Sequence, residues 1–231
     1  MMSMGFKDDL ESIIDSSNKT KQTLLFSATM TKKVESVTKK YMKQSLNISV
    51  GVKNKGADNI EHLLYVVHAK HRYEVVKRIA DINPDIYGIV FCRTRAETKD
   101  VANKLIQDNY NADTIHGDLS QAQRDDVMLR FRKKQIQLLI ATDVAARGLD
   151  VNDLTHVINY NLPDDNEIYV HRSGRTGRAG KKGISIVIIH GRELRKIRNI
   201  ENASKISFKK KQVPTGLDIC KKRLYKLIED V

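Results

Sequence analysis

Gly88-Ile89-Val90-Phe91-Cys92-Arg93-Thr94-Arg95-Ala96-Glu97 reads as a strand handed directly to a helix. Gly88–Cys92 carries no charge and does not alternate apolar with polar, the pattern of a strand covered on both faces. Thr94 stands three residues ahead of Glu97, the capping-box spacing that opens a helix, here Ala96–Asn109. The same grammar recurs along the chain. Further buried strands are expected at Leu63–Val67, Leu138–Thr142, His156–Tyr160 and Ile184–Ile189. Amphipathic helices are expected at Arg72–Ile82, Gln121–Lys133 and Asn166–Gly174, the last two with Ser120-x-x-Gln123 and Asp164-x-x-Glu167 at their starts. Strands alternating with helices of this length predict an α/β fold, a doubly wound parallel sheet with helices on both faces. Ligands of such sheets sit at the carboxyl ends of the strands.

The first fifty residues form a separate group: helix Phe6–Asp15, strand Thr23–Phe26, helix Lys32–Tyr41 and strand Leu46–Val50. Two strands and two helices are too little for an independent α/β core. The polar, glycine-flanked stretch Gly51–Asp58 reads as a linker. At the other end, Phe208-Lys209-Lys210-Lys211 leads into a basic amphipathic helix with Leu217, Leu224, Leu227 and Ile228. That tail suits an RNA-binding extension, a packing helix or the start of another domain.

The formal charge is +13, with 40% hydrophobic residues, enough for a core and a strong pointer to a polyanionic partner. The excess is uneven. Arg172 to Arg198 holds nine basic side chains against Glu193, and Lys205 to Lys226 holds eight against Asp218. A surface that is merely soluble mixes its signs, so nucleic acid is favoured. Cys92 and Cys220 lie far apart without neighbours at ligand spacing, which argues against a disulfide framework or zinc site. A reducing, cytoplasmic address is expected. No run of about 18 apolar residues occurs, so no membrane span is expected.

Four stretches carry candidate chemistry. In His171-Arg172-Ser173-Gly174-Arg175-Thr176-Gly177-Arg178, a continuous helix would place His171, Arg175 and Arg178 on one face. That cluster fits a polyphosphate, or a solvated basic helix end. Ala141–Asp150 follows a buried strand, with Thr142 and Asp143 at its carboxyl end and Gly148 allowing close approach; the alternative is a helix cap and tight turn. Thr94 suits a phosphate contact, a cap or both, and Gln121 and Arg124 share one helix face.

Together Thr142–Asp150, His171–Arg178, Phe91–Thr94, Gln121-x-x-Arg124 and Ser27-Ala28-Thr29 resemble, in order and spacing, the later motifs of the DEAD-box RNA helicases of superfamily 2. The resemblance implies a RecA-like C-terminal lobe over residues 57–208. It implies the end of the N-terminal lobe over 1–50, a linker at 51–56 and a basic helical extension at 209–231. Arg175 and Arg178 would be arginine fingers on the γ-phosphate of ATP, with His171 in the network between the lobes. Gly148 and Asp150 would line the nucleotide cleft. Thr94, Gln121, Arg124 and Thr142 would hold the RNA sugar-phosphate backbone, with little sequence preference. Ser27 and Thr29 would couple hydrolysis to strand separation.

A phosphate loop, Gly-x-x-x-x-Gly-Lys-[Ser/Thr], does not occur, and neither does any Asp-Glu dipeptide. ATP and Mg²⁺ would therefore be held by the missing N-terminal lobe, and this polypeptide alone is expected not to hydrolyse ATP. The other reading is a non-catalytic RNA-binding module. Thr23–Phe26, without sheet neighbours, is expected to leave Leu24-Leu25-Phe26 as an exposed apolar edge.

Overall fold

The computed structural model describes residues 7–18, 20–27, 32–42, 45–49, 59–146, 151 and 154–229. The chain divides into two compact units, Met1–Lys55 and Gly56–Val231.

The second unit is built on one seven-stranded, all-parallel sheet. Its strands are β1 (Ile60–Val66), β2 (Gly88–Phe91), β3 (Ala112–Ile115), β4 (Leu138–Ala141), β5 (His156–Asn159), β6 (Gly183–Ile189) and β7 (Lys209–Lys211). They lie in the order β3-β4-β2-β5-β6-β1-β7. The order reverses at β2, which pairs with β4 on one side and β5 on the other. That reversal is where ligands of open α/β sheets gather.

Every residue of β2, β4 and β5 is buried, and consecutive residues feed opposite layers. Val90, Ile140, Ile158, Ile186 and Ile188 pack beneath α3 (Arg72–Ile82) and α4 (Arg95–Gln107). Ile89, Phe91, Leu139, Ala141 and Val157 pack on the other face with α5 (Gln121–Arg132) and α6 (Asp143–Ala146). Farther along that face, Leu64, Val187 and Ile189 meet α7 (Asn166–Ser173) and α8 (Leu194–Ser204). The doubly wound sheet read from the sequence is the fold found. The last helix, α9 (Gly216–Glu229), packs on α3 through Ile219 and pairs Arg223 with Asp81.

The caps follow the sequence in part. Ser120 and Gln123 form a complete capping box on α5. Thr94 caps α4, its Oγ1 accepting from the Glu97 N–H at 3.1 Å, but the Glu97 carboxylate reaches back to the Arg93 N–H instead of closing the box. Asp164-x-x-Glu167 is no capping box. Asp165 occupies the cap of α7 without a side-chain bond, and Asp164 faces Arg93 and Lys196.

In the first unit, α1 (Lys7–Ser16) and α2 (Lys32–Tyr41) form near their expected bounds and are joined by a Lys40–Glu11 ion pair of 2.8 Å. The expected strands at Thr23–Phe26 and Leu46–Val50 are absent: residues 21–27 and 45–49 are coil, and Val50 lies outside the described residues. A strand needs a paired neighbour to satisfy its backbone, and none of the described residues of this unit supplies one. Leu24 and Phe26 are exposed, Phe26 at 90%.

Candidate functional site

The carboxyl ends of β4 and β2 are tied by the Cys92 N–H to Ala141 O bond, so Thr142 and Thr94 leave adjacent strands. Thr142 turns straight into α6, its Oγ1 accepting from the Ala145 N–H at 3.4 Å. The Ala145 carbonyl in turn accepts from Arg124 Nη2 at 3.3 Å, which draws α5 onto the same turn. Gln121 is exposed one turn earlier on α5, holding Asp125 at 2.8 Å. Arg95 and Lys99 of α4 both reach Asp118, in the loop before α5, at 2.5 and 3.1 Å. Thr94, Gln121, Arg124 and Thr142, scattered over about fifty positions, thus lie at the same carboxyl end of the sheet, with Arg124 and Thr142 both bonded to Ala145. Thr94 serves as a cap with its oxygen and, being exposed, keeps its hydroxyl proton for a ligand.

The arginine segment differs from its sequence reading. His171 lies exposed in the last turn of α7, but the helix stops at Ser173 with Gly174 as its cap. His171, Arg175 and Arg178 therefore do not share a helical face. Two constraints end the helix. Thr176 donates its hydroxyl to Leu154 O and bridges that residue as a one-pair parallel ladder. Gly177 takes φ +66°, a left-handed conformation that a side chain resists, and a Cβ there would stand 2.7 Å from Ile60 Cγ1. Asn59 then clamps the turn by donating to the Gly177 and Lys181 carbonyls. Arg175 and Arg178 are both half-buried. Burial first, then the Arg178 charge, holds the Arg175 guanidinium below its ordinary pKa. Two cations pressed together in this way favour an anion between them.

Arg172, to which the sequence alone assigned no role, joins the two groups. Only 4% exposed, it donates from Nε and Nη2 to Asp143 at 2.6 and 2.8 Å. Its Nη1 donates to Asn159 Oδ1 and Asn161 O, both at 2.9 Å, and the guanidinium lies over the Phe91 ring. Asn161 accepts from the Arg93 N–H and donates to Glu97, next to the Thr94 cap. The Arg172 carbonyl accepts from the Arg175 N–H. One side chain thus anchors Asp143, beside Thr142, while its backbone sets the first bond of the arginine turn. A second pin was invisible in the sequence: His62 Nδ1 meets the Tyr169 hydroxyl, which meets Ser185, and Ser173 bonds Ser185 as well. Burial lowers the His62 pKa to about 4, so the ring is neutral at pH 7.

Gly148, Asp150 and Thr29 lie outside the described residues. Ser27 is exposed in coil, not on a strand face. Among the described residues no group of three or more His, Cys, Asp or Glu is placed to hold a metal ion. None of the described helices is long and apolar enough to cross a membrane. A cavity of about 490 Å³ between β3 and α5 contains none of the candidate residues. Thr94, Gln121, Arg124 and Thr142 lie instead along the rim at the carboxyl ends of β2, β3 and β4, whereas the turn of Arg175 and Arg178 is anchored at the amino ends of β5, β1 and β6 and so does not fall with them at the carboxyl ends.

The Helicase conserved C-terminal domain family matches residues 71–180, spanning β2 to β5 and both motif clusters. A probable ATP-dependent RNA helicase of Methanocaldococcus jannaschii is 49% identical over 210 residues, 91% of this chain and 56% of that protein. The DEAD-box ATP-dependent RNA helicase CshA of Bacillus cereus is 41% identical over 93% of this chain and 41% of its own length. The crystal structure of a DEAD box protein from Methanococcus jannaschii matches with a TM-score of 0.65 at 48% identity, over 91% of this chain and 57% of that one. The chain belongs to the DEAD-box family. The sheet of this DEAD-box chain also matches Saccharomyces cerevisiae Dbp5 bound to RNA and ADP BeF3, with a TM-score of 0.86 at 26% identity over 97% of this chain and 59% of that one. The DEAD-box chain spans about half the length of the curated relatives it matches.

Proposed function

We propose that this chain acts as the second lobe of an ATP-dependent RNA helicase, with Arg175 and Arg178 serving ATP and Thr94, Gln121, Arg124 and Thr142 serving the RNA backbone. The observation that carries the reading is the Arg172–Asp143 bond, which ties the turn before Arg175 to the turn after Thr142 in one rigid body. Phosphoryl transfer relies on positioning and charge neutralisation, and an arginine finger delivers its effect only when closure brings it to the phosphate. Arg175 and Arg178 fit a polyphosphate, two crowded guanidiniums of which one is already destabilised as a cation. His171, exposed at the end of α7, would join the network between the lobes in this reading. Gly148 and Asp150 complete the nucleotide side, and Ser27 and Thr29 the coupling element. Mg²⁺ and the phosphate cradle belong to the first lobe in this reading, of which residues 1–50 would be the end and 51–56 the link to the second. The extension at 209–231 closes the sheet with β7 and packs α9 on α3. A cytoplasmic setting accords with a buried Cys92 and an exposed Cys220, both free.

The test is RNA-stimulated ATP hydrolysis by the purified chain, alone and mixed with a separately produced DEAD-box first lobe. Turnover is expected only in the mixture and is expected to vanish with Arg175→Ala. Turnover by the chain alone, at full purity, would overturn the two-lobe assignment. RNA binding unaffected by any first lobe, with no turnover in the mixture, would favour a binding module.

A further inference from the structure

The outer face of α8 and of the turn before it is a concentration of positive charge that the site above does not use. Ile197, Ile200 and Ser204 turn inward, while Arg192, Arg195, Lys196 and Arg198 are exposed. Both acidic residues of this segment are drawn into the fold. Glu193 accepts from Arg72 Nη2 and from the His190 N–H, each at 2.9 Å, and Glu201 accepts from the Phe208 N–H. Among the described residues no ion pair involves Arg192, Arg195 or Arg198. Sign segregation of this kind repels its own members, and a polyanion relieves it.

The face is also continuous with the rim. Asp164 lies 3.6 Å from Lys196 and 3.7 Å from Arg93, the residue before Thr94. Both contacts are loose and Asp164 is 78% exposed, so a phosphate can replace its carboxylate at little cost. We propose that α8 and the turn before it, through Arg192 in that turn and Arg195 and Arg198 on the helix, form a second RNA-backbone surface that continues past Arg93 the strand held at Thr94 and Thr142. The proposal rests on the RNA reading above and extends its footprint. Arginine is suited to the task because its planar fork pairs with phosphate in two bonds. Contacts to the backbone alone bring affinity and length dependence without sequence preference.

The test is fluorescence anisotropy of the full chain with single-stranded RNA of about 6 and about 14 nucleotides, within the range of site sizes that one basic module covers. The triple variant Arg192→Glu, Arg195→Glu, Arg198→Glu is expected to keep its affinity for the short RNA and to lose about tenfold on the long one. The salt slope for the long RNA should fall by about 2, as three lost phosphate contacts on a single strand require. Arg124→Ala should weaken both lengths alike. Glutamate at 195 falls in the first turn of α8, where it is favoured, and 192 and 198 are exposed, so α8 should persist, and a matching thermal melt checks this. The neutral Arg192→Gln, Arg195→Gln, Arg198→Gln variant repeats the test if the reversed one is unstable. Short-RNA binding by the wild type, with long-RNA affinity unchanged in the variants, would overturn the α8 surface and leave the rim intact. So would equal loss on both lengths. No binding of either length by the wild type would overturn the RNA reading and this extension together.

Discussion

Arg172→Met separates the two halves of the site with the least disturbance of shape. Methionine keeps much of the volume over Phe91, so the cost is electrostatic rather than a cavity. Four hydrogen bonds vanish: two to Asp143, one to Asn159 Oδ1 and one to Asn161 O. Breaking one partner of a buried ion pair costs about 3–5 kcal/mol. The Asp143 side chain is 31% exposed and water can reach it, which places this pair near about 3 kcal/mol. Asn159 is fully buried, and leaving its Oδ1 without a donor adds about 1 kcal/mol. The expected loss is about 4 kcal/mol, a large share of the 5–15 kcal/mol typical of a domain. Urea unfolding followed by far-UV circular dichroism should show it at an unchanged slope, with Tm lower by roughly 8–16 °C. Arg172→Lys cannot make both Asp143 bonds and reach Asn159, so it should still lose about 2 kcal/mol. A cycle with Asp143→Asn should return a coupling of about 2 kcal/mol or more. If Arg172→Met cost under about 1 kcal/mol with zero coupling, the desolvation of this pair would cancel its attraction, and Arg172 could not be the strut argued above.

Two further outcomes follow from buried groups near the same sheet. His62 and His156 are neutral in the fold because burial lowers each to about 4 from 6.5. The unfolded chain binds those protons first as pH falls, so their contribution is whole above about pH 6.5 and is lost progressively towards pH 4, at about 3 kcal/mol each; His62→Gln with His156→Gln should flatten the pH dependence of the urea midpoint in that window, and an unaltered profile would refute it. At Gly183 an added Cβ would meet the Gly177 N and Thr176 Oγ1 at 2.5 Å, so Gly183→Ala should loosen the arginine turn, seen as faster amide exchange at Thr176 and Gly177, whereas wild-type protection there would count against this packing.

What the sequence revealed and what it hid divide along physical lines. β2, β4 and β5 announce themselves because a strand covered on both faces must be apolar throughout. β3 and β7 do not, because they are the edges: Ala112-Asp113-Thr114-Ile115 is half polar, and Lys209–Lys211 is wholly exposed lysine. Helix α8 went unassigned because its basic face masked the Ile197/Ile200 spacing. The motif residues were legible as candidates, and the sheet brings Thr94, Arg124 and Thr142 together through strand adjacency that no local pattern encodes. The helical face assumed for His171, Arg175 and Arg178 failed for a non-local reason as well. Leu154, more than twenty positions away, captures Thr176 and ends the helix.

That failure carries meaning for the site. A continuous helix would have presented His171, Arg175 and Arg178 on a frame whose only attachment was the helix itself. The observed turn is held instead at four points: Thr176 on Leu154, Asn59 on the Gly177 and Lys181 carbonyls, Gly177 against Ile60, and Arg175 N–H on Arg172 O. Those holds come from β1, from the approach to β5 and from the end of α7, so the turn moves only if the sheet moves. Rigid placement of this kind is what charge stabilisation of a developing phosphate requires, since a donor that must reorganise spends its own interaction energy. Thr142 and Arg124, which the proposal assigns to RNA, rest on the same sheet through Asp143 and Ala145. Communication between the two ends then needs no bending within the lobe. In the two-lobe reading proposed above, a partner lobe would only have to be drawn against this rigid body, carrying its nucleotide to an arginine pair already in position.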